Sequence, residues 1–383
     1  MSSPVYVVIK QPIRFAQMTI EEFLFGSDPK VRAINTSETN TRVTKYNELP
    51  PRFLETVSVD KLIRLLKAFN ESTDYIREVP RKSLYNQFLI PKRSGSGYRK
   101  ISAPHDDLKS HLRTLKRIFE RDFNALYHTS AFAYIPRRCT LDAIKRHQQN
   151  KSRWFAKFDL TDFFGNTTMD FVLKQFSMIF PFSEVLKDPV GREEFTKAIE
   201  LAFLDGHLPQ GTPISPLITN VMMIPIDLRL SNGLRDFGGQ KFIYTRYADD
   251  FTISSKRDFD ARKVQEFIVN TLNEFDAPFT VKDEKTRYGS TAGRNWNLGL
   301  MLTADNKITV GSKRKKTFQA TLSNYVMDKL HGINWPLEDV QVMDGTRNYI
   351  RMIEGEVSDN IVRHIGEKYG VDVFKMIKED LRR

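Results

Sequence analysis

A chain of 383 residues, 40% hydrophobic and 28% charged, is long enough for two or three lobes and too apolar for a disordered chain. Its 59 Lys and Arg against 47 Asp and Glu leave a net charge of +12, which points to a polyanionic partner, nucleic acid before an anionic membrane. The single cysteine, Cys139, excludes an intramolecular disulfide and a cysteine-rich zinc site. No apolar stretch approaches the roughly 18 residues of a membrane span, and the start lacks a signal-peptide pattern, so the chain reads as cytoplasmic with no membrane partner.

In chain order, residues 1–30 pair a short β-like run (Val5 to Ile9) with a helix-like piece (Thr19 to Phe25), and residues 31–50 are polar and loop-like. Val59, Leu62, Leu65, Leu66 and Phe69 recur at helical spacing. Residues 88–104 read as strand, turn and strand around Arg93-Ser94-Gly95-Ser96-Gly97, and 108–123 as a basic helix. The apolar run 154–160 predicts a buried strand, followed by helices over 169–180 and 194–203 and a turn at Asp205-Gly206-His207. A long apolar helix is expected over 216–230, with Ser215 as its cap and Pro216 in its first turn. Two β-rich runs, 242–247 and 251–254, flank Ala248-Asp249-Asp250 as a hairpin, and 261–275 is helical. Short strands are expected over 297–302 and 307–310, then helices from Lys316 to the end. Strands and helices interleave in the middle and helices dominate the flanks, an α+β class.

The chemistry concentrates in carboxylates. Asp249 and Asp250 sit at a tight turn between apolar strands, which is costly unless a cation is bound or the site is solvated. Asp159 closes the apolar strand some ninety residues earlier. Mg²⁺ takes a few carboxylates together with substrate phosphates, and two such ions about 3.5–4 Å apart clamp the oxygens of a phosphoryl transfer. Singly, each acid has a bland reading as a turn residue or a helix cap; the joint pattern favours metal. Gly211, in the loop 208–216, lets the backbone approach a ligand closely.

Phe158-Asp159-Leu160-Thr161-Asp162-Phe163-Phe164, Gln210-Gly211-Thr212-Pro213-Ile214-Ser215-Pro216 and Tyr247-Ala248-Asp249-Asp250, in this order, resemble the successive palm motifs of reverse transcriptases, most nearly the bacterial retron and group II intron type. The likeness runs over about residues 88–302. It implies a right-hand polymerase: an N-terminal extension, mostly helical, over 1–80, fingers over 81–155, a palm with inserted fingers elements over 156–302, and a helical thumb over 303–383. The implied activity is RNA-directed DNA synthesis, with dNTPs added to a DNA primer on a template RNA (a cognate non-coding RNA), in bacterial antiphage defence. Asp159, Asp249 and Asp250 then match the ligands of two Mg²⁺ ions, which Mn²⁺ can replace. Phe164 matches the aromatic that excludes a ribose 2′-OH, although a plain core Phe is the bland reading. Gln210 and Gly211 match the loop at the nascent base pair.

The resemblance extends outward. Lys92 and Arg99 match the fingers residues that hold the triphosphate, and charge-assisted bonds suit that task. Arg113, Lys116 and Arg117 form a template-backbone face, and Arg138 matches the Arg of a Gly-Arg-Ser segment in which Cys139 replaces the Ser, so Cys139 reads as structural. Lys285 matches a lysine beside the leaving pyrophosphate, a proton donor. Lys313, Arg314, Lys315 and Lys316 open the thumb as phosphate contacts. Each of these basic residues has a bland reading as a solvated surface charge. Two departures from the retron pattern stand out: Asp142-Ala143 is followed by His147 at the wrong spacing for Asn-Ala-x-x-His, and Asn297-Leu298-Gly299 replaces Val-Thr-Gly. The alternatives are a non-catalytic nucleic-acid-binding or maturase-like protein, a template-independent nucleotidyltransferase, or an RNA-synthesising enzyme, against which Phe164 speaks. A protein partner or oligomer is left open.

Overall fold

The computed structural model describes residues 58–92, 97–235, 237–291 and 299–382. The readings over 1–57, the turn 93–96 and Asn297-Leu298 lie outside the described residues. No described helix is long and apolar enough to cross a membrane.

The chain opens with α1 (Val59–Arg77), whose first turn is capped by Ser58 and whose apolar stripe buries Leu62, Leu66, Phe69 and Ile76. Strands β1 (Tyr85–Pro91) and β2 (Tyr98–Pro104) pair antiparallel, Tyr85 opposite Pro104 and Ile90 opposite Arg99. Helix α2 (Asp106–Arg117) starts on two aspartates and ends on two cations, in line with its dipole, and continues into a π turn over Ile118–Asp122. Helix α3 (Thr140–Gln149) leads into β3 (Trp154–Asp159). Next come α4 (Met169–Phe176), α5 (Phe182–Lys187) and α6 (Pro189–Glu200). The last begins earlier than its apolar spacing suggests, because Asp188 accepts from the Gly191 N–H at 2.7 Å and Pro189 suits the first turn.

The single helix expected over 216–230 is two: α7 (Ser215–Met222) and α8 (Ile224–Arg235). Pro225 has no N–H to continue the first helix, so the chain turns at Met223 and restarts. Ser215 is not the cap. It is the first helical residue, its N–H donates to Thr212 Oγ1 at 3.1 Å and its hydroxyl to the Pro209 carbonyl at 2.9 Å. Strands β4 (Phe242–Tyr247) and β5 (Asp250–Ser255) follow, then α9 (Ala261–Glu274) and β6 (Arg287–Ser290), a strand too short and polar to announce itself.

The four-stranded sheet has the order β4-β5-β3-β6. Its pairings are antiparallel: Arg153 bonds Ser255 while Leu160 bonds Asp249, and Thr291 bonds Arg153 while Lys282 bonds Asp159. The remainder is β7 (Met301–Leu302) paired with β8 (Ile308–Thr309), then α10 (Ser312–Leu330), α11 (Leu337–Glu354), α12 (Val357–Tyr369) and α13 (Val373–Asp380). The described residues therefore have the expected α+β class.

The chain divides into two compact units. The first holds the described residues of Met1–Arg138 with Lys157–Phe251 and Asp260–Thr286. Its core includes a nest of rings: Phe119 stacks on Phe195 at 5.5 Å, Phe123 on Phe182 at 4.7 Å, and Phe176 meets Phe182 edge-on at 4.6 Å. The second unit holds Cys139–Ala156, Thr252–Phe259 and the described residues of Arg287–Arg383. There, Ile144, Phe155, Leu302, Phe318, Leu322 and Tyr325 belong to one buried cluster with the C-terminal helices.

Candidate active site

The hairpin between β4 and β5 turns in two residues, Ala248 and Asp249. Ala248 takes φ 56°, the left-handed value that tight hairpins need at their first central position and that a residue with a Cβ adopts at a cost. Beside it, β3 ends at Asp159, and the Leu160 N–H donates to the Asp249 carbonyl at 3.1 Å. Two strand ends thus bring Asp159, Asp249 and Asp250 together within the first unit.

Each acid has a distinct environment. Asp250 accepts from Lys157 Nζ at 2.8 Å. Asp159 Oδ2 accepts from both Lys282 Nζ, at 3.0 Å, and Lys285 Nζ, at 3.1 Å. The two lysines reach one oxygen because the short 3₁₀ turn Asp283–Lys285 places residues three apart on the same side. Burial lowers the Lys282 ammonium, but the bond and charge of Asp159 prevail and raise it. At Asp249 the charge of Lys282 is outweighed. Burial, then the charges of Asp250 and Asp159, push its carboxyl up to about 6.

A divalent cation fits this donor set. The Asp249 carboxylate is crowded by the charges of Asp250 and Asp159, and a cation would relieve that repulsion. Among the described residues no group of three acidic, His or Cys side chains is arranged as it stands to hold a metal ion, as a closed protein cage would be. Mg²⁺ does not ask for one, since it keeps waters and takes substrate phosphate oxygens.

Around the acids, Phe164 is partly exposed and lies edge-on to the buried Phe163 at 5.8 Å, so Phe163 fills the core and Phe164 is left at the surface of the turn. The loop carrying Gln210 and Gly211 docks on β2, where Ser102 N–H donates to the Gln210 carbonyl at 2.8 Å. Gly211 has φ +113°, and a Cβ there would meet Ile101 Cγ2 at 2.9 Å and the Ser102 carbonyl at 3.0 Å, so glycine is required on two counts. Burial, Asp249 and Tyr247 raise the Tyr134 phenol against the opposing charge of Arg99, which places Tyr134 among these groups. Lys92 is exposed at the end of β1.

The remaining sequence candidates separate into free and engaged. Arg113 is exposed on α2, Arg117 is exposed and donates to Thr114, and Lys116 faces Glu120 at 3.8 Å. Arg138 Nη1 donates to the carbonyls of His128 and Ala131 at 2.7 and 2.8 Å, bracing its own loop. In the second unit Lys315 is held by Glu354 at 2.9 Å and Arg314 lies over the Tyr349 ring at 5.1 Å, while Lys313 and Lys316 are exposed. Three residues that the motif reading passes over belong to the site's framework: Lys282, Lys157 and the wholly buried Arg246, which bonds Asp227. The Lys282–Lys285 spacing is the one local signal that could have exposed the first.

A family model described as "Reverse transcriptase (RNA-dependent DNA polymerase)" matches residues 90–319. Among curated proteins, the retron Ec83 reverse transcriptase of Escherichia coli is 27% identical over 328 residues, covering 84% of this chain and 98% of that protein. The retron Mx65 reverse transcriptase of Myxococcus xanthus is 26% identical, covering 73% of this chain and 64% of that protein. The retron Mx162 reverse transcriptase of the same organism is 31% identical, covering 60% of this chain and 50% of that protein. A solved telomerase of Candida albicans, in complex with a TWJ fragment of telomeric RNA, aligns over 78% of this chain and 59% of that chain at 13% identity and a TM-score of 0.42, a likeness too loose to carry an argument.

Proposed function

Because the chain belongs to the reverse transcriptase family, of the retron type, and is an RNA-directed DNA polymerase, we propose that Asp159, Asp249 and Asp250 are its metal-binding catalytic carboxylates. The observation that supports this is their meeting at two adjoining strand ends, with Asp249 crowded by the other two. Two Mg²⁺ ions held there, or Mn²⁺ in their place, would supply Lewis-acid stabilisation of the pentacoordinate phosphoryl group.

The chain's own residues do the rest. The bond to form joins the primer 3′-oxygen to the α-phosphorus of a dNTP; the bond to break leads to pyrophosphate. Lys285, now on Asp159, is within reach of the carboxylates and is the proton donor to the departing pyrophosphate. Lys92 and Arg99 bind the triphosphate oxygens from the β1–β2 hairpin. Phe164, partly exposed beside the buried Phe163, closes the space of a ribose 2′-OH. Gln210 and Gly211, fixed to β2, support the nascent base pair.

The partners follow from this reading. A cognate non-coding RNA is the template, a DNA strand the primer and product, and dNTPs the substrates. Arg113, Lys116 and Arg117 on α2, and Lys313 and Lys316 at the start of α10, contact the phosphodiester backbones. Residues 81–155 act as fingers and 303–383 as thumb. Primer extension on an RNA template with Mg²⁺, wild type against Asp249→Ala, tests the proposal. Template-dependent dNTP incorporation lost in the variant supports it, and equal incorporation by both proteins removes Asp249 from the chemistry. In Phe164→Ala, ribonucleotide incorporation rises if Phe164 excludes the 2′-OH.

A further inference from the structure

The residue just before Tyr247-Ala248-Asp249-Asp250 is Arg246, and its guanidinium is wholly buried, as is the carboxylate of Asp227 on α8. Nε donates to Asp227 Oδ1 at 2.9 Å and Nη2 to Oδ2 at 2.8 Å, a two-pronged pair. The Tyr244 hydroxyl donates to the same Oδ1 at 2.7 Å. The third nitrogen, Nη1, is aimed the other way, to the carbonyl of Ala248 at 3.2 Å and to Asn220 Oδ1 at 3.3 Å. Asn220 is in turn fixed by donating to the Ala133 carbonyl at 2.8 Å. The break at Met223 and Pro225 lets two successive helices deliver Asn220 and Asp227 to one guanidinium.

Stability alone does not explain such a pair. A buried ion pair is commonly no better for the fold than apolar residues of the same volume. What apolar residues cannot do is donate to the Ala248 carbonyl. That carbonyl belongs to the residue held at φ 56° in the hairpin turn, and such a conformation persists only where the surroundings over-determine it. The planar fork does this: two prongs locked on Asp227 leave the third nitrogen no freedom.

We propose that Arg246 is a positioning residue for nucleotide addition: oriented by Asp227, Tyr244 and Asn220, it fixes the turn at Ala248 and thereby the direction of the Asp249 carboxylate. This rests on the polymerase reading above. The guanidinium touches neither substrate nor reacting atoms; it acts through one carbonyl.

The test compares the full-length wild type with Asp227→Leu/Arg246→Met and with Tyr244→Phe, measuring thermal midpoint, kcat and dNTP KM in templated primer extension. The double variant keeps the pocket filled without the donor. Its midpoint should fall modestly, because the Tyr244 hydroxyl and the Ala248 carbonyl lose their partners, with KM changed less than about threefold and kcat lower on the order of 100-fold, the loss that a misplacement of about 1 Å brings. Tyr244→Phe keeps the pair but frees one side of Asp227, and its kcat should fall severalfold at unchanged KM. A folded double variant with wild-type kcat overturns the inference. If the double variant does not fold, Tyr244→Phe decides, and an unchanged kcat there overturns it equally. Absence of extension by wild type counts against the polymerase reading and this inference with it, whereas an active wild type with an equally active double variant counts against this inference alone.

Discussion

Asp249 is the carboxylate under the most strain: Lys157 serves Asp250 and two lysines serve Asp159, while at Asp249 burial and its neighbours' charges outweigh a backbone hydrogen bond and the charge of Lys282. Asp249→Asn keeps the shape and removes the repulsion. Without divalent ions at neutral pH it is expected to match or exceed wild-type stability, by about 1–2 kcal/mol, while losing primer extension. Millimolar Mg²⁺ should then raise the thermal midpoint of wild type and leave that of the variant in place, since only a ligand of the folded state stabilises it. Calorimetry with and without Mg²⁺ reads both. Gly211 is the second residue whose identity is forced. Gly211→Ala must place a Cβ against Ile101 and Ser102 at φ +113°, so it is expected to lose about 1–3 kcal/mol, seen as a lower urea midpoint.

At the scale of elements, α3 is pinned by a buried imidazole. His147 Nδ1 meets Ser254 Oγ at 2.6 Å, and Ser254 in turn donates to Ser152 at 2.7 Å. Burial, with a smaller contribution from Arg146, pulls the His147 imidazole down to about 3. The unfolded chain protonates this histidine below about 6.5 while the folded one does not, so stability is complete above that pH and falls as the pH drops toward 3. Thermal midpoints from pH 7 to pH 5 should therefore fall more steeply in wild type than in His147→Asn. This histidine, which stands at the wrong spacing for the Asn-Ala-x-x-His pattern, is spent inside the fold on a serine.

Elements differ in how openly the sequence displays them. Asp159 and the 249–250 pair are legible because each closes a short apolar run, a local pattern. The Ser215 cap and the unbroken 216–230 helix misread a segment whose hydroxyl points back to Pro209 and whose Pro225 forces a restart. The β6 strand gains its identity only from β3 beside it. Lys282 and Arg246 are silent because their partners lie 123 and 19 residues away along the chain, and nothing in a surface lysine or a strand arginine declares such a partner.

The whole molecule carries a surplus of twelve positive charges. The logarithm of its affinity for nucleic acid should fall linearly with the logarithm of salt concentration, each phosphate contact adding about 0.7 to 0.9 to the slope. Lys313→Ala/Lys316→Ala should reduce that slope by about 1.4–1.8, as two contacts disappear. Lys315→Ala should change it far less, because that ammonium already serves Glu354. Fluorescence anisotropy of a labelled RNA across a potassium chloride series distinguishes the two variants, and equal slopes would place the backbone contact elsewhere.

Cys139 opens α3 with its backbone N–H on the Asp142 carboxylate at 2.9 Å and its thiol on the same oxygen at 3.1 Å. The sulfur stands in for a hydroxyl at a helix start, where serine is the better-suited residue. Cys139→Ser therefore costs nothing in principle and removes the chain's only thiol. The result is a thiol-free background, into which single cysteines can be introduced to carry spectroscopic reporters of motion during synthesis.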